Sequence, residues 1–97
     1  MFMIYVLCLN PAVDCYERYY DIKLKGNNRT KYQKFYIGGK GINVSLMLNN
    51  LGVKSRLLTV LGGFTGDYIY KTLRKMKIDV IPFNTKTPTR INLKIEA

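Results

Sequence analysis

The apolar and polar positions along the chain change period several times, and each change marks an element. "FMIYVLCL", Phe2 to Leu9, is nearly continuous apolar, the pattern of a strand covered on both faces in a parallel sheet. "NPAVD" ends it. Asn10 and Pro11 break the strand and leave Asp14 in a loop just past its carboxyl end, where open α/β sheets place ligands. From Tyr16 to Leu24 the pattern alternates, with Tyr16, Tyr20, Ile22 and Leu24 on one face and Glu17, Tyr19, Asp21 and Lys23 on the other, as in a half-buried strand. "KGNNRT" supplies turn residues and Thr30 to Ile37 reads as the return strand, which predicts an antiparallel hairpin apart from the main sheet.

The period then becomes helical. Val44, Met47, Leu48 and Leu51 fall at i, i+3, i+4 and i+7, the buried face of a helix that Gly52 terminates. "SRLLTVLGG" reads as a second parallel strand, so strand, crossover helix and strand follow in α/β order. "GGFTGD" opens another helix, with Thr65 as its N-cap, Asp67 in the first turn, and Ile69, Leu73 and Met76 as its buried stripe. A short strand at Asp79 to Phe83, a polar "NTKTP" loop and the alternating "TRINLKIE" complete the chain. In that last strand Ile91, Leu93 and Ile95 face one way, and Arg90, Asn92 and Lys94 the other. The predicted fold class is α/β: a mainly parallel sheet flanked by helices, with a small β unit beside it.

Composition narrows the function classes. Ninety-seven residues make one small domain at most, with no interior linker and no repeat. No apolar run approaches the roughly 18 residues of a membrane span, and the amino-terminal stretch lacks a basic n-region, so the expectation is a cytoplasmic chain with no membrane. Cys8 and Cys15 are too few for a disulfide framework and lack CxxC spacing. With no histidine, His-based triads and His metal sites are excluded. The net charge of +10 admits a polyanion partner. The densest basic cluster, Lys71, Arg74, Lys75 and Lys77, reads as a solvated helix face before it reads as a nucleic-acid patch. The tyrosines at 16, 19, 20, 32 and 36 read as packing surface before they read as a base-stacking platform.

The candidate chemistry centres on "YIGGKGINVSLMLNNLG", positions 36 to 52, where glycines and a lysine directly precede a helix. Unpaired N–H groups and the positive end of the helix dipole favour an anion or a dense set of hydroxyls there, provided no side chain blocks the approach. On the last strand, a guanidinium and an amide on one face suit a phosphorylated, hydroxyl-rich ligand.

"LNPAVD", "NRT", "GGKGINVSLMLNNLG", "LGGFTGD" and "TRINLKI" occur in one order and spacing, and together the sequence resembles the N-terminal third of the ribokinase-like sugar kinases of the PfkB group over essentially all 97 residues. Lys40 in GGKG and the "TRIN" strand are most similar to its phosphosugar branch, the bacterial 1-phosphofructokinases with the tagatose-6-phosphate kinases as close relatives. The resemblance implies ATP-dependent phosphorylation of a phosphorylated ketohexose, fructose 1-phosphate becoming fructose 1,6-bisphosphate. It also implies a small antiparallel β lid, here about 16–37 and 89–96, that in relatives often pairs across two subunits, so a homodimer through the lid is expected and nucleic acid is not.

By the same resemblance, Asp14 accepts hydrogen bonds from sugar hydroxyls, Gly38 and Gly39 offer backbone contacts to the sugar, and Asn43 bonds hydroxyls from the first helical turn. Lys40 and Arg90 take the substrate phosphate, with Arg29 and Asn92 as lesser candidates. Each has a plainer alternative: a capping Asp, a turn, a capping Asn, solvated cations. In the family the catalytic base lies in a C-terminal "GAGD" segment, and ATP with Mg2+ binds through that portion. None of that is in this sequence, and no GxxxxGK[ST] occurs either. The expectations are therefore no catalytic residue and no metal site here, ATP and Mg2+ for the full-length enzyme only, and no turnover by these 97 residues alone.

Overall fold

The computed structural model describes residues 3–20, 22–23 and 25–96. In chain order the elements are β1 (Ile4–Cys8), β2 (Ala12–Tyr19), β3 (Thr30–Gly38), α1 (Lys40–Asn50), β4 (Ser55–Gly62), α2 (Gly63–Lys75), β5 (Asp79–Thr85) and β6 (Arg90–Glu96). They form two three-stranded sheets, β1-β4-β5 and β3-β2-β6. The first is all parallel. Both of its crossovers step the same way across the sheet, and right-handed connections therefore put α1 and α2 on one face. That face carries Val6, Cys8, Leu57, Leu61 and Val80, which pack with Ile42, Ile69, Leu73 and Ile78 into the core.

The opposite face of this sheet is bare. Tyr5 and Leu7 on β1 are each 60% exposed, and Ile81 and Phe83 on β5 are also exposed. The expectation that the first strand is covered on both sides is thus corrected: among the described residues only one layer of helices lies against the sheet.

The second sheet is the predicted hairpin with a third strand added. β2 pairs with β3 in antiparallel register and with β6 in parallel, so the expectation of an antiparallel lid is corrected to a mixed sheet. Its first strand begins at Ala12 rather than Tyr16, which moves Asp14 out of the expected loop and into β2. Pro11 precedes the first strand residue, where a missing N–H costs the ladder nothing. The predicted stretch to Leu24 runs past Tyr19, and Asp21 and Leu24 lie outside the described residues.

Helix ends follow local chemistry. Gly52, at φ +74°, ends α1 as predicted, with Val53 N–H donating to Leu48 O at 2.9 Å and Gly52 N–H to Asn49 O at 3.1 Å. The predicted buried stripe of α1 holds only at Leu48, half-buried against the core; Val44, Met47 and Leu51 are exposed, and Ile42 and Ser45 are the buried residues. In α2, Ile69 and Leu73 are buried as predicted, while Met76 caps the helix and is exposed. Gly62, not Thr65, is the N-cap, and Asp67 lies beyond the first turn, paired with Lys71 at 2.9 Å.

Thr65 instead joins a clasp that ties the small sheet to the main one. Its hydroxyl donates to Thr89 O at 2.6 Å, Gly62 N–H donates to Thr89 Oγ1 at 3.0 Å, and Thr89 N–H donates to Gly62 O at 2.9 Å. A side chain at Gly62 would strike the carbonyl oxygen of Thr87. The start of β6 is therefore seated on the start of α2.

Candidate functional site

Register-opposed residues of neighbouring strands share a sheet face, and the register of the small sheet sorts one face into rows. Nearest the main sheet lie Ala12, Gly38 and Arg90, then Asp14, Tyr36 and Asn92, then Tyr16, Lys34 and Lys94, and outermost Arg18, Tyr32 and Glu96. The other face bears Val13, Cys15, Phe35, Ile37, Ile91, Leu93 and Ile95. Polar recognition groups thus occupy one side of the lid, and the other is apolar apart from the hydrogen-bonded Glu17 and Gln33 at its outer end.

Asp14 is half-buried and held in place. Asn92 Nδ2 donates to its Oδ1 at 3.0 Å, Arg90 Nη1 donates to Asn92 Oδ1 at 3.3 Å, and Arg90 Nη2 donates to Asn10 O at 3.3 Å. One carboxylate, one amide and one guanidinium form a relay anchored on the loop that leaves β1. Asp14 Oδ2 lies against Gly38, where any Cβ would run into it. Glycine at that position leaves the second carboxylate oxygen open to a ligand.

The following residues aim α1 at the same place. Gly39 has φ +118°, and a Cβ on it would lie 3.1 Å from Cys8 Sγ and 3.2 Å from Asn10 O. A Cβ on Gly41 would come within 2.6 Å of Cys8 Cβ and 2.7 Å of Leu7 O. Both positions need glycine for the start of α1 to rest on the carboxyl end of β1. α1 has no side-chain cap and no acidic residue in its first turn, so its first N–H groups and dipole are available to an anion. Lys40, Gly41 and Arg90 line one open cavity of about 440 Å³ with Leu7, Cys8, Leu9 and Asn10.

The structure thus brings together Asp14, Gly38, Gly39, Lys40, Arg90 and Asn92. Asn43 lies in the first turn of α1, exposed, with its N–H donating to Gly39 O at 2.9 Å. Arg29 sits in the exposed stretch before β3, and among the described residues no hydrogen bond or ion pair joins it to this network. Asn92, a lesser candidate by sequence, is the centre of the relay. Sequence reasoning missed Tyr36, opposite Asp14, and the row Tyr16, Lys34, Lys94, although the alternation of β6 already placed Lys94 on the side of Asn92. Bonding to the Tyr16 hydroxyl raises the Lys94 ammonium above the ordinary lysine value, and the Tyr36 hydroxyl does the same for Lys34.

Among the described residues no three His, Cys, Asp or Glu side chains gather closely enough to hold a metal ion. What the arrangement can do is bind: a fixed carboxylate for hydroxyls, backbone N–H groups, and two cations for a phosphate.

The chain is 44% identical over 94 residues to 1-phosphofructokinase of Bacillus subtilis, covering 97% of this chain and 31% of that one. It is 41% identical over 93 residues to D-tagatose-1-phosphate kinase of Klebsiella oxytoca, covering 96% and 31%. The structure superposes on Escherichia coli phosphofructokinase-2, solved in complex with fructose-6-phosphate, with a TM-score of 0.83 at 32% identity, covering 98% of this chain and 31% of that one. The chain spans about 31% of the length of the curated relatives it matches. Residues 3–97 match the pfkB family carbohydrate kinase pattern. The chain belongs to the pfkB family of carbohydrate kinases.

Proposed function

We propose that this chain forms the sugar-recognising portion, the first third, of an ATP-dependent kinase domain that transfers the γ-phosphate of ATP to a hydroxyl of fructose 1-phosphate, giving fructose 1,6-bisphosphate. The single observation that carries this is the Asp14 carboxylate, fixed by Asn92 and Arg90 and open at Oδ2 beside Gly38. Asp14 accepts from sugar hydroxyls, the start of α1 with Asn43 borders them, and Lys40 with Arg90 neutralises the substrate phosphate. Arg29 remains a lesser candidate. The family assignment supports ATP and Mg2+ as cosubstrate and metal of the full-length enzyme. Closure of the small sheet over the sugar would exclude water from the transfer step. The alternative sugar is D-tagatose 1-phosphate, after the Klebsiella relative's name; the sequence resemblance had pointed to the 6-phosphate.

A homodimer through the small sheet is part of the same reading. Phe35, Ile91, Leu93 and Ile95 on its apolar face are each about half exposed, more contiguous apolar surface than a lone lid needs. Leu93→Asp is expected to shift the chain from dimer to monomer in sedimentation velocity, and an unchanged sedimentation coefficient would remove the dimer from the reading.

Amide NMR titration of the 97-residue chain with fructose 1-phosphate, D-tagatose 1-phosphate and a short oligonucleotide tests the sugar site. Shifts confined to Asp14, Gly38 to Asn43, Arg90 and Asn92 are expected with a sugar phosphate. Shifts with the oligonucleotide alone, along Lys71 to Lys77 and the tyrosines of β2 and β3, would overturn it.

A further inference from the structure

A sugar that hydrogen-bonds Asp14 also brings a C–H face, which Asn92, Arg90 and Lys40 do nothing to cover. Sites for small ligands set a few polar groups against apolar or aromatic walls. In the row of Asp14 and Asn92 the aromatic member is Tyr36, paired with Asp14 across β2 and β3 on the same sheet face. Cβ atoms opposed in this way are about 5 Å apart, so the ring is within contact of anything seated on Asp14. Gly38, one row inward on β3, has no side chain, and Asp14 Oδ2 lies against it. The space above Gly38 is therefore open, with the carboxylate at its side and the Tyr36 ring as its outer boundary.

The ring is held from the outside. Tyr16 meets it edge to face, 5.4 Å between centroids at 86°. Lys34 Nζ lies 5.1 Å from its centroid and engages its hydroxyl, and Lys94 Nζ in turn donates to the Tyr16 hydroxyl at 3.1 Å. Tyr16, Lys34 and Lys94 all belong to the next row outward. The ring thus keeps its orientation while its inward side stays open, and Tyr36 is 44% exposed. Arg90 lies one row inward of Asn92, two residues along β6 and roughly 7 Å away by strand rise. A phosphate held there puts the carbons of its sugar level with Asp14 and Tyr36.

We propose that Tyr36 is the apolar wall of the sugar site and its selector for a closed ring. The inference rests on the sugar-phosphate reading above. One C–H face of a cyclic ketohexose phosphate packs against the Tyr36 ring while hydroxyls at its edge meet Asp14 and Asn92, so wall and carboxylate together fix which way the sugar lies. A closed ring presents that face ready-made. An open-chain polyol phosphate has similar hydroxyls and a phosphate but must freeze several bonds to present it. The site therefore prefers the cyclic ligand, and the preference resides in Tyr36.

Calorimetric titration with fructose 1-phosphate and the open-chain mannitol 1-phosphate tests this on wild type, Tyr36→Phe and Tyr36→Ser, with proton NMR of the bound sugar alongside. Thermal unfolding serves as the check on folding. Wild type and Tyr36→Phe are expected to bind fructose 1-phosphate about tenfold more tightly than mannitol 1-phosphate, the scale of covering one ring face. Both should also shift the sugar's ring C–H protons upfield through the aromatic ring current. Tyr36→Ser should lose the preference and the upfield shift while binding mannitol 1-phosphate as wild type does. A preference or an upfield shift that survives Tyr36→Ser, an equal loss for both ligands, or the absence of either signature in wild type overturns the wall and leaves Tyr36 as a partner of Tyr16 and Lys34. The sugar site itself stands in each of those cases. Wild type that binds neither ligand overturns the proposed function as well.

Discussion

At Gly38 the fold has room for a hydrogen and nothing larger, because the missing Cβ position lies inside the reach of the Asp14 carboxylate. Gly38→Ala should therefore turn Asp14 away from Asn92 and cut sugar-phosphate affinity at least tenfold. Ala suits an extended strand end, so the far-UV circular dichroism and unfolding midpoint should change little. Unchanged affinity in the same titration would show that Asp14 does not need its second oxygen free. The need for glycine here was legible as a glycine-led helix start. The reason for it was not, because Asp14 is distant in sequence and read as a loop residue until β2 paired with β3. Arg90 and Asn92 were likewise legible as one strand face, yet their contact with Asp14, 78 positions away for Asn92, exists only once β6 joins β2 in parallel. The sequence could place each side chain on a face, but only pairing decides which faces meet.

The elements show the same division between local and non-local information. Both helices end with a residue in the left-handed region: Gly52 at φ +74° after α1, and Lys77 at φ +61° after α2, where Ile78 N–H donates to Leu73 O at 3.1 Å. The first was readable because glycine announces it, the second was not because lysine does not. A non-glycine residue there costs about 1 kcal/mol. Lys77→Gly is accordingly expected to raise stability by about that amount in urea unfolding, and a lower midpoint would mean that the Lys77 side chain contributes more than its backbone costs. The inward face of α1 was misread for a different reason: with apolar residues around most of the helix, the period alone does not say which side meets the sheet, and Ser45, small and fully buried, marks the real contact. The clasp at the start of β6 was invisible in sequence because threonine is common in loops. Thr89→Val removes the acceptor of the buried Gly62 N–H, and leaving that donor unpaired costs about 1–3 kcal/mol. Chemical denaturation should show the loss, with Thr89→Ser near wild type. Equal stability of the valine and serine variants would mean that the Thr89 backbone bonds suffice to hold β6.

For the whole molecule, the distribution of apolar surface outweighs its amount. The core between one sheet face and two helices is closed, with Ile42, Leu57, Ile69 and Leu73 fully buried. The reverse face of the same sheet presents Tyr5, Leu7, Ile81 and Phe83 in register across β1, β4 and β5, interrupted only by the Arg56–Asp79 pair at 2.7 Å. Continuous "FMIYVLCL" announced the strand but not its exposure: the period suggested cover on both faces, and among the described residues only one face is covered. An apolar face of this kind, ending at the unpaired edge of β1, drives association between copies. The 97-residue chain should therefore bind a hydrophobic dye and self-associate as concentration rises. Ile81→Lys with Phe83→Lys should suppress the dye binding and the association beyond the lid dimer, because each places a charge on the bare face and neither residue lines the cavity of Lys40, Gly41 and Arg90. The sugar-phosphate shifts should survive in that variant, which separates this surface from the site. If dye binding and association persist in it but vanish with Leu93→Asp, association runs through the apolar face of the small sheet, and the bare face of the parallel sheet is inert in the isolated chain.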